Sequence, residues 1–514
     1  MNGNPAADTK QAFPAILDGL LDRRNIPPIS VSGLSLDSRK VESGMAFFAL
    51  AGSQVHGLDY AEQAIENGAA AIVYDPLSIN SDHLEYLRRR FECPFVAIGS
   101  LDHKIGYIAD RFFASPSSAI DVIGITGTNG KTSCSHFLAQ ALTQFGLCGV
   151  VGTLGWGFIG NLQSLLNTTP DAIQLHKVLA KLKNLGAKYV AMEVSSHGVV
   201  QGRTRGVRFK GVAFTKITRD HLDYHGTQDA YIDAKLELLD SPELEFAVIN
   251  LDDANVERIL AAVPPATRVV GYTRGSGPKT EFAQLRISAL RHDVNGVEFR
   301  VHFADDDALV SAPFFCDFNV ENLLTVLAVM LGLGISLEKS AAALRNLKPI
   351  LGRLEQFLCG DSGPTVIVDY AHTPDALESI LNGLREHCSG ELWVVFGCGG
   401  DRDKGKRPLM GAIAAQAADH IWLTDDNPRS EDGAAIIEDI RLGCGAAQVN
   451  VLRDRKLAIE RIIQLAKPGD LIVIAGKGHE QTQEIQRVKA PFSDRKIVRN
   501  AIALRTASKR DFLQ

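Results

Sequence analysis

The chain has 514 residues, a formal net charge of −6, 45% hydrophobic residues and 22% charged residues, the balance of an ordinary globular protein with room for about three domains. That charge supplies no basic field for a nucleic-acid backbone, so anionic ligands must be held by local sites. Eight cysteines, scattered without a CxxC pair, read as reduced thiols of a cytoplasmic protein and not as a disulfide or zinc framework.

The N-terminal stretch MNGNPAADTKQAFPAILDGLLDRRN lacks the basic, apolar and cleavage segments of a signal peptide. Residues 1–115 mix short strands, MAFFAL at 45–50 and AAIVY at 70–74, with helical stretches. The Ser and Pro of FFASPSSAID at 112–121 mark a linker. Over 116–349 the strands DVIGIT, KYVAMEV, GVAFT and FAVIN alternate with helical text, which predicts a mainly parallel sheet with helices on both faces. LLTVLAVMLGLGI at 323–335 is too short to span a membrane and reads as a buried helix. Over 350–514 TVIVDY, ELWVVFG, HIWLT and DLIVIAG predict another doubly wound sheet, with ligands expected at the C-terminal strand ends. The expected fold is α/β in three domains: a smaller N-terminal α/β domain, a central P-loop doubly wound sheet domain and a C-terminal Rossmann-like α/β domain.

GITGTNGKTS at 124–133 nearly spells a phosphate-binding loop, but five residues, not four, separate Gly124 from Gly130. Its context is that of a phosphate cradle. A β-branched strand precedes it, and Phe137, Leu138, Ala141, Leu142 and Phe145 mark one helix face after it. Such a turn aims backbone N–H groups and a helix N-terminus at polyphosphate. Lys131 would reach the outer phosphates and the Thr132 hydroxyl would suit Mg²⁺. The alternative is a tight strand-to-helix turn with a solvent-facing lysine.

Other strand ends are polar. Glu193, in EVSSHGVVQGRTRG, is either an oxygen ligand for Mg²⁺ or a solvated carboxylate, and Gln201, Arg203 and Arg205 form either an anion-gripping loop or an ordinary surface loop. His221, crowded by Asp220, Asp223 and His225 in TKITRDHLDYHG, could ligate a metal or simply hydrogen-bond. Lys235 in AYIDAKLELL has the character of a solvated helix lysine. GCGGDRDKGKRPLM sets cations among glycines, which favours a basic loop lying over phosphates or carboxylates, the alternative being a plain soluble loop. In DDNPR an Asn-Pro turn carries Arg429, which is either a planar two-point donor for a carboxylate or part of an ordinary turn.

Together these stretches, from LSLDSR at 34–39 to AGKGHE at 475–480, resemble the Mur ligase family, whose phosphate loop is of the TGTNGKT type seen at 126–132. The resemblance implies an ATP-dependent amide-bond ligase of peptidoglycan precursor synthesis, acting through an acyl phosphate with Mg²⁺. DNPR at 426–429 resembles the family's diaminopimelate signature, which implies addition of meso-2,6-diaminopimelate to the D-glutamate γ-carboxylate of UDP-N-acetylmuramoyl-L-alanyl-D-glutamate. By the same resemblance Gly127, Thr128, Asn129, Gly130, Lys131, Thr132, Ser133, Asn319, Asn322, Arg353, Asp369 and His372 fall where the family holds ATP or closes its domains. Thr132, Glu193, His221 and Lys235 (as a carbamate) would hold metal, and Lys131, Glu193, His221 and Lys235 would be catalytic. Leu36, Ser38, Ser53, Gln54, Val55, Asn167, Thr168, Thr169, Ser195, Gln201 and Arg203 match the UDP-substrate positions. Arg402, Asp426, Asn427, Pro428, Arg429, Gly476 and Glu480 match those for diaminopimelate. The chain departs from the pattern at Ser133, commonly threonine, in the GSQVHG loop at 52–57, and at Cys316, commonly glycine. Small-molecule substrates, no nucleic acid, no membrane span and a monomer are expected. The alternatives are a folylpolyglutamate-synthase-like ligase, which shares the phosphate loop, and a non-catalytic nucleotide-binding relative.

Overall fold

The computed structural model describes residues 10–52, 55–275, 281–293, 296–314, 316–360 and 363–511. They form two compact units, one of residues 1–126, 145–212 and 234–245, the other of residues 127–144, 213–233 and 246–514.

In the first unit, the expected strand at 45–50 is Met45–Ala49, within a four-stranded parallel sheet ordered Gly33–Ser35, Met45–Ala49, Ala71–Tyr74, Phe95–Ala97. Alternation along this strand serves two cores. Ala46 and Phe48 pack with Phe13, Leu101 and Ile105, whereas Phe47 and Ala49 pack with Leu58, Ala61 and Leu87. A strand covered on both faces therefore reads as an unbroken apolar run. Further along, Asp121–Thr126 and Cys148–Gly152 both lie parallel to Tyr189–Glu193. Beyond this parallel centre the chain turns back twice, as antiparallel Gly155–Phe158 and Asn161–Gln163.

In the second unit, Phe246–Asn250, Arg268–Thr273 and Gln284–Asp293 are parallel. Two antiparallel strands that a mainly parallel expectation did not include then follow, Gly296–Phe303 and Asp306–Ala312. The cause is visible in VEFRVHF: Val297, Phe299 and Val301 are buried while Arg300 is exposed and Glu298 half-buried, the period of a sheet with one wet face. The apolar text at 323–335 lies mostly within the buried helix Asp317–Gly332. Before it, Cys316 makes the turn that glycine commonly makes, at φ +69.

The C-terminal sheet runs Glu355–Leu358, Thr365–Val368, Leu471–Ile474, Leu392–Phe396, His420–Leu423, Val449–Val451, parallel except for its first pair. Its C-terminal strand ends carry Asp369, Gly397, Thr424 and Ala475, the edge at which such sheets bind ligands. A hairpin, Thr482–Ile485 with Val488–Pro491, and the helix Asp494–Asp511 complete it. Among the described residues no helix is long and apolar enough to cross a membrane.

Candidate active site

The strand Asp121–Thr126 runs into a loop, and the helix Lys131–Leu142 starts directly behind it. Gly127 (φ +144) and Gly130 (φ +85) make the turn. A Cβ would lie 1.9 Å from Thr215 Oγ1 at the first and 2.5 Å from Asn322 Oδ1 at the second, so no other residue fits either place without displacing its neighbours. Lys131 Nζ donates to the carbonyls of Gly127 and Thr128, both at 2.9 Å. This folds the ammonium of the half-buried lysine back over the loop.

The loop is braced on several sides. Thr128 Oγ1 lies 2.9 Å from Tyr231 Oη, donates to Thr218 O at 3.0 Å and accepts from Thr218 N at 2.9 Å. Asn129 Nδ2 donates to Asp375 Oδ2 at 2.9 Å, and Lys216 Nζ sits 3.3 Å from the other oxygen of that carboxylate. Asn322 Nδ2 donates to Asn319 Oδ1 at 3.1 Å. At the helix start Thr132 Oγ1 accepts from Arg353 Nη2 at 3.0 Å, and that guanidinium lies 4.7 Å from the Tyr370 ring centroid. Asp369 holds the Arg353 turn by accepting from the backbone N–H groups of Leu354 and Ala371, both at 2.7 Å. Burial raises its pKa, against the pull of Arg353 and those N–H groups. Ser133 is half-buried in the same first turn.

His221, at φ +54, places Nε2 3.3 Å from Asp220 Oδ2. Burial alone would raise the Asp220 pKa, but His221, His372, Lys406 and Lys131 outweigh it and the carboxyl ends below its usual range. His372 is pushed down to about 4 by burial and by Lys406, whose Nζ donates to His372 O at 2.8 Å.

In the first unit, Glu193 is fully buried, which overturns the solvated-carboxylate alternative. Its carboxylate accepts from Thr153 N at 2.9 Å and Thr153 Oγ1 at 3.1 Å, and Thr153 Oγ1 lies 3.0 Å from Thr168 Oγ1. Thr169 Oγ1 donates to Glu193 O at 3.1 Å and accepts from Ser195 N at 3.0 Å, while Arg203 donates to Thr169 O at 2.7 Å and to Gln201. The expected Thr168, Thr169, Ser195, Gln201 and Arg203 are thus one network, with Asn167 exposed at its edge. Arg205 is tied to Glu237 instead, at 3.1 Å. Lys235 is 1% exposed, so its sequence character as a solvated lysine is wrong: a solvated lysine is not packed away from water. Nearer the N-terminus, Ser38 Oγ donates to Gln63 Oε1 at 2.7 Å, Leu36 is half-buried and Val55 is exposed. Ser53 and Gln54 lie outside the described residues.

The DNPR turn closes the edge of the C-terminal sheet. Asp426, Asn427 and Pro428 are buried, and Gly476 approaches so closely that a Cβ there would lie 2.5 Å from Asp426 Oδ2. Arg429 takes a left-handed φ of +53, which directs its Nη1 to Gly400 O at 2.6 Å, across Gly399. The guanidinium is therefore strapped over a glycine floor. Asn427 Nδ2 donates to Glu480 Oε2 at 2.9 Å, while Arg402 is exposed. The basic loop expected around 398–410 is largely structural. Arg407 is 1% exposed and bonds Glu431 and Asp439, and Lys404 sits 3.3 Å from Glu431.

Among the described residues no three His, Cys, Asp or Glu side chains converge as a ready metal cage. Mg²⁺ needs none, since it is usually held by one or two carboxylates together with waters and substrate phosphates. In the first unit the buried Glu193 carboxylate, and in the second the Thr132 hydroxyl, are each oxygen groups of the kind it takes. Sequence reasoning missed Thr153, Thr215, Lys216, Tyr231, Asp375 and Lys477. Thr215 and Lys216 stood in TKITRDHLDYHG, Tyr231 in AYIDAKLELL and Lys477 in AGKGHE, stretches read for other residues.

Three family models match: "Mur ligase family, catalytic domain" over residues 30–101, "Mur ligase middle domain" over 125–330 and "Mur ligase, glutamate ligase domain" over 352–478. A protein of Coxiella burnetii named UDP-N-acetylmuramoyl-L-alanyl-D-glutamate–2,6-diaminopimelate ligase is 43% identical over 95% of this chain and 99% of its own.

The chain belongs to the Mur ligase family.

A namesake from Alkalilimnicola ehrlichii is 44% identical over 95% of this Mur ligase and 98% of its own length. A solved structure of a UDP-N-acetylmuramoyl-L-alanyl-D-glutamate–2,6-diaminopimelate ligase aligns with TM-score 0.67 at 34% identity, covering 96% of this Mur ligase and 99% of that chain. The MurF ligase of Thermotoga maritima in complex with ADP shares the fold, with TM-score 0.63 at 18% identity over 93% of this chain and 98% of its own. The three-part α/β architecture is therefore that of the family.

Proposed function

We propose that this Mur ligase uses ATP to join meso-2,6-diaminopimelate to the D-glutamyl γ-carboxylate of UDP-N-acetylmuramoyl-L-alanyl-D-glutamate, a step of peptidoglycan precursor synthesis in the cytoplasm. Residues 1–115 take the UDP end, 116–349 the ATP and 350–514 the amino acid, in a monomer. The γ-carboxylate oxygen attacks the ATP γ-phosphorus and ADP leaves. The amine of diaminopimelate then attacks the acyl carbon, phosphate leaves, and the amine gives up a proton as the amide forms. Lys131 and the loop N–H groups meet the phosphates, and the rest is positioning. Bound Mg²⁺ would neutralise phosphate charge, held by Thr132, Glu193, His221 and Lys235 as its carbamate. The Thr169–Ser195–Arg203 network would orient the UDP-dipeptide.

One observation carries the choice of amino acid: Arg429, strapped over Gly399 and Gly400 on the same turn as the Asn427–Glu480 pair. A cation on this turn and a carboxylate bonded to it from the loop after Leu471–Ile474 suit the far zwitterionic head of diaminopimelate. Lysine lacks that carboxylate and would leave the guanidinium without its partner, at about 1–3 kcal/mol. The test is phosphate release from ATP with each substrate omitted in turn and L-lysine run beside diaminopimelate. Release is expected only with both UDP-dipeptide and diaminopimelate, with lysine used roughly tenfold less well or worse. ATP turnover indifferent to either substrate refutes the scheme.

A further inference from the structure

Lys477 is a fully buried lysine, its side chain 0% exposed. Its Nζ donates to Asn427 Oδ1 at 2.9 Å and to Glu480 Oε2 at 2.7 Å. Asn427 Nδ2 donates to that same glutamate oxygen at 2.9 Å, and the Glu484 N–H donates to Asn427 Oδ1 at 3.0 Å. The Phe492 ring lies 5.9 Å from the ammonium.

Two donors meet the amide oxygen and one acceptor meets its nitrogen, so the Asn427 amide has a single satisfied orientation. A flipped amide would set its N–H groups against an ammonium and a backbone N–H, and its oxygen against a carboxylate. Both of these bonds to Glu480 go to Oε2, so Oε1 is the oxygen left to face a ligand. We infer that Lys477 is a positioning residue for substrate selection. Its ammonium locks Asn427 and Glu480 so that Glu480 Oε1 receives the distal α-ammonium of the amino acid, while Arg429 receives the neighbouring carboxylate. Lys477 touches no substrate itself. It lies where removal of the cation would free the amide to flip and let the carboxylate swing or take up a proton. This rests on diaminopimelate being the acceptor, and it adds which residue enforces recognition of its second amine.

The test compares diaminopimelate with 2-aminopimelate, which keeps the far carboxylate but lacks the far amine, in full-length wild type, Lys477→Met and Glu480→Gln. Wild type should favour diaminopimelate. Lys477→Met should lose that preference by roughly tenfold or more, as should Glu480→Gln, with KM for ATP and for the UDP-dipeptide unmoved. An equal loss with both acceptors, or a raised KM for ATP, marks a merely structural lysine and overturns the inference. Lys477→Gln, which retains one donor, carries the same comparison if the methionine variant does not fold. A wild type that rejects diaminopimelate defeats the proposed function itself. A wild type that uses it, beside a Lys477→Met with unaltered preference, defeats only this inference.

Discussion

Replacing Thr128 by valine tests how the phosphate loop is held. The Thr128 hydroxyl is buried and has three partners, Tyr231 Oη and Thr218 N at 2.9 Å and Thr218 O at 3.0 Å. It has one proton, which goes to Thr218 O, so the other two groups donate to it. Valine keeps the volume and strands the Thr218 N–H. That orphan costs about 1–3 kcal/mol and each lost bond about 1 kcal/mol more. Thr218 O still accepts from Gln228 Nε2 at 3.2 Å, which softens the loss to a total of about 2–4 kcal/mol. Tyr231→Phe removes one donor and leaves Thr128 satisfied by Thr218, at about 0.5–1.5 kcal/mol. The double variant should fall short of the sum by roughly 1 kcal/mol, because both singles break the same bond. Urea unfolding of the four proteins measures these differences, and the KM for ATP should rise in the same order. A Thr128→Val variant no less stable than Tyr231→Phe would sink the account of Thr128 as the hub.

Three further outcomes follow from other buried positions. His136 and His372 are held at about 4 and His479 at about 3, in each case by burial first, with nearby cations adding. Their folded pKa values lie below the unfolded value, so the unfolded chain binds more protons between the two. Stability should be full above about pH 6.5 and fall toward pH 4, by up to about 1.4 kcal/mol per pH unit for each histidine; a flat stability profile from pH 7 to pH 4 contradicts this. Asp494→Asn should lower stability by about 3–5 kcal/mol, because Arg455, bonded to Asp494 at 2.7 and 2.8 Å with both side chains 0% exposed, would be left a buried cation; thermal unfolding reads it, and an unchanged Tm is the adverse result. Gly127→Ala should cost about 1–3 kcal/mol in strain and weaken ATP binding severely, since its Cβ would meet Thr215 Oγ1 at 1.9 Å; calorimetric titration with ATP checks it, and wild-type affinity would refute it.

Strands that bury both faces were legible because their text is continuous and apolar: Met45–Ala49, Asp121–Thr126 and Leu471–Ile474 lie within the stretches expected for them. The meander of Gln284–Asp293, Gly296–Phe303 and Asp306–Ala312 was less legible. It alternates polar and apolar residues, and its pairing partners are set by turns and not by composition. Among site residues, those on a motif were found through the motif. Local text misjudged Lys235, since the helix Gln228–Leu236 mixes apolar residues with Gln228, Asp229 and Asp233, and only tertiary packing leaves that lysine 1% exposed.

Residues that position others follow a different rule, and Tyr231, Asp375 and Lys477 show it. Each acts on a partner far away in sequence: Tyr231 on Thr128, Asp375 on Asn129, Lys477 on Asn427. None has a local signature, because a phenol, a carboxylate or an ammonium is ordinary until the fold removes water from around it. Burial then changes the stakes. A hydrogen bond worth about 1 kcal/mol in exchange with water becomes one whose loss strands a polar group. The loop glycines make room for phosphate, but room alone does not fix N–H groups in place. Thr128, Asn129 and Thr132 are each tied to a different segment, around Thr218, Asp375 and Arg353. A loop held at three successive points by three separate segments cannot shift at one without straining the others. The geometry that would receive ATP is thus set by residues outside the motif as much as by the motif.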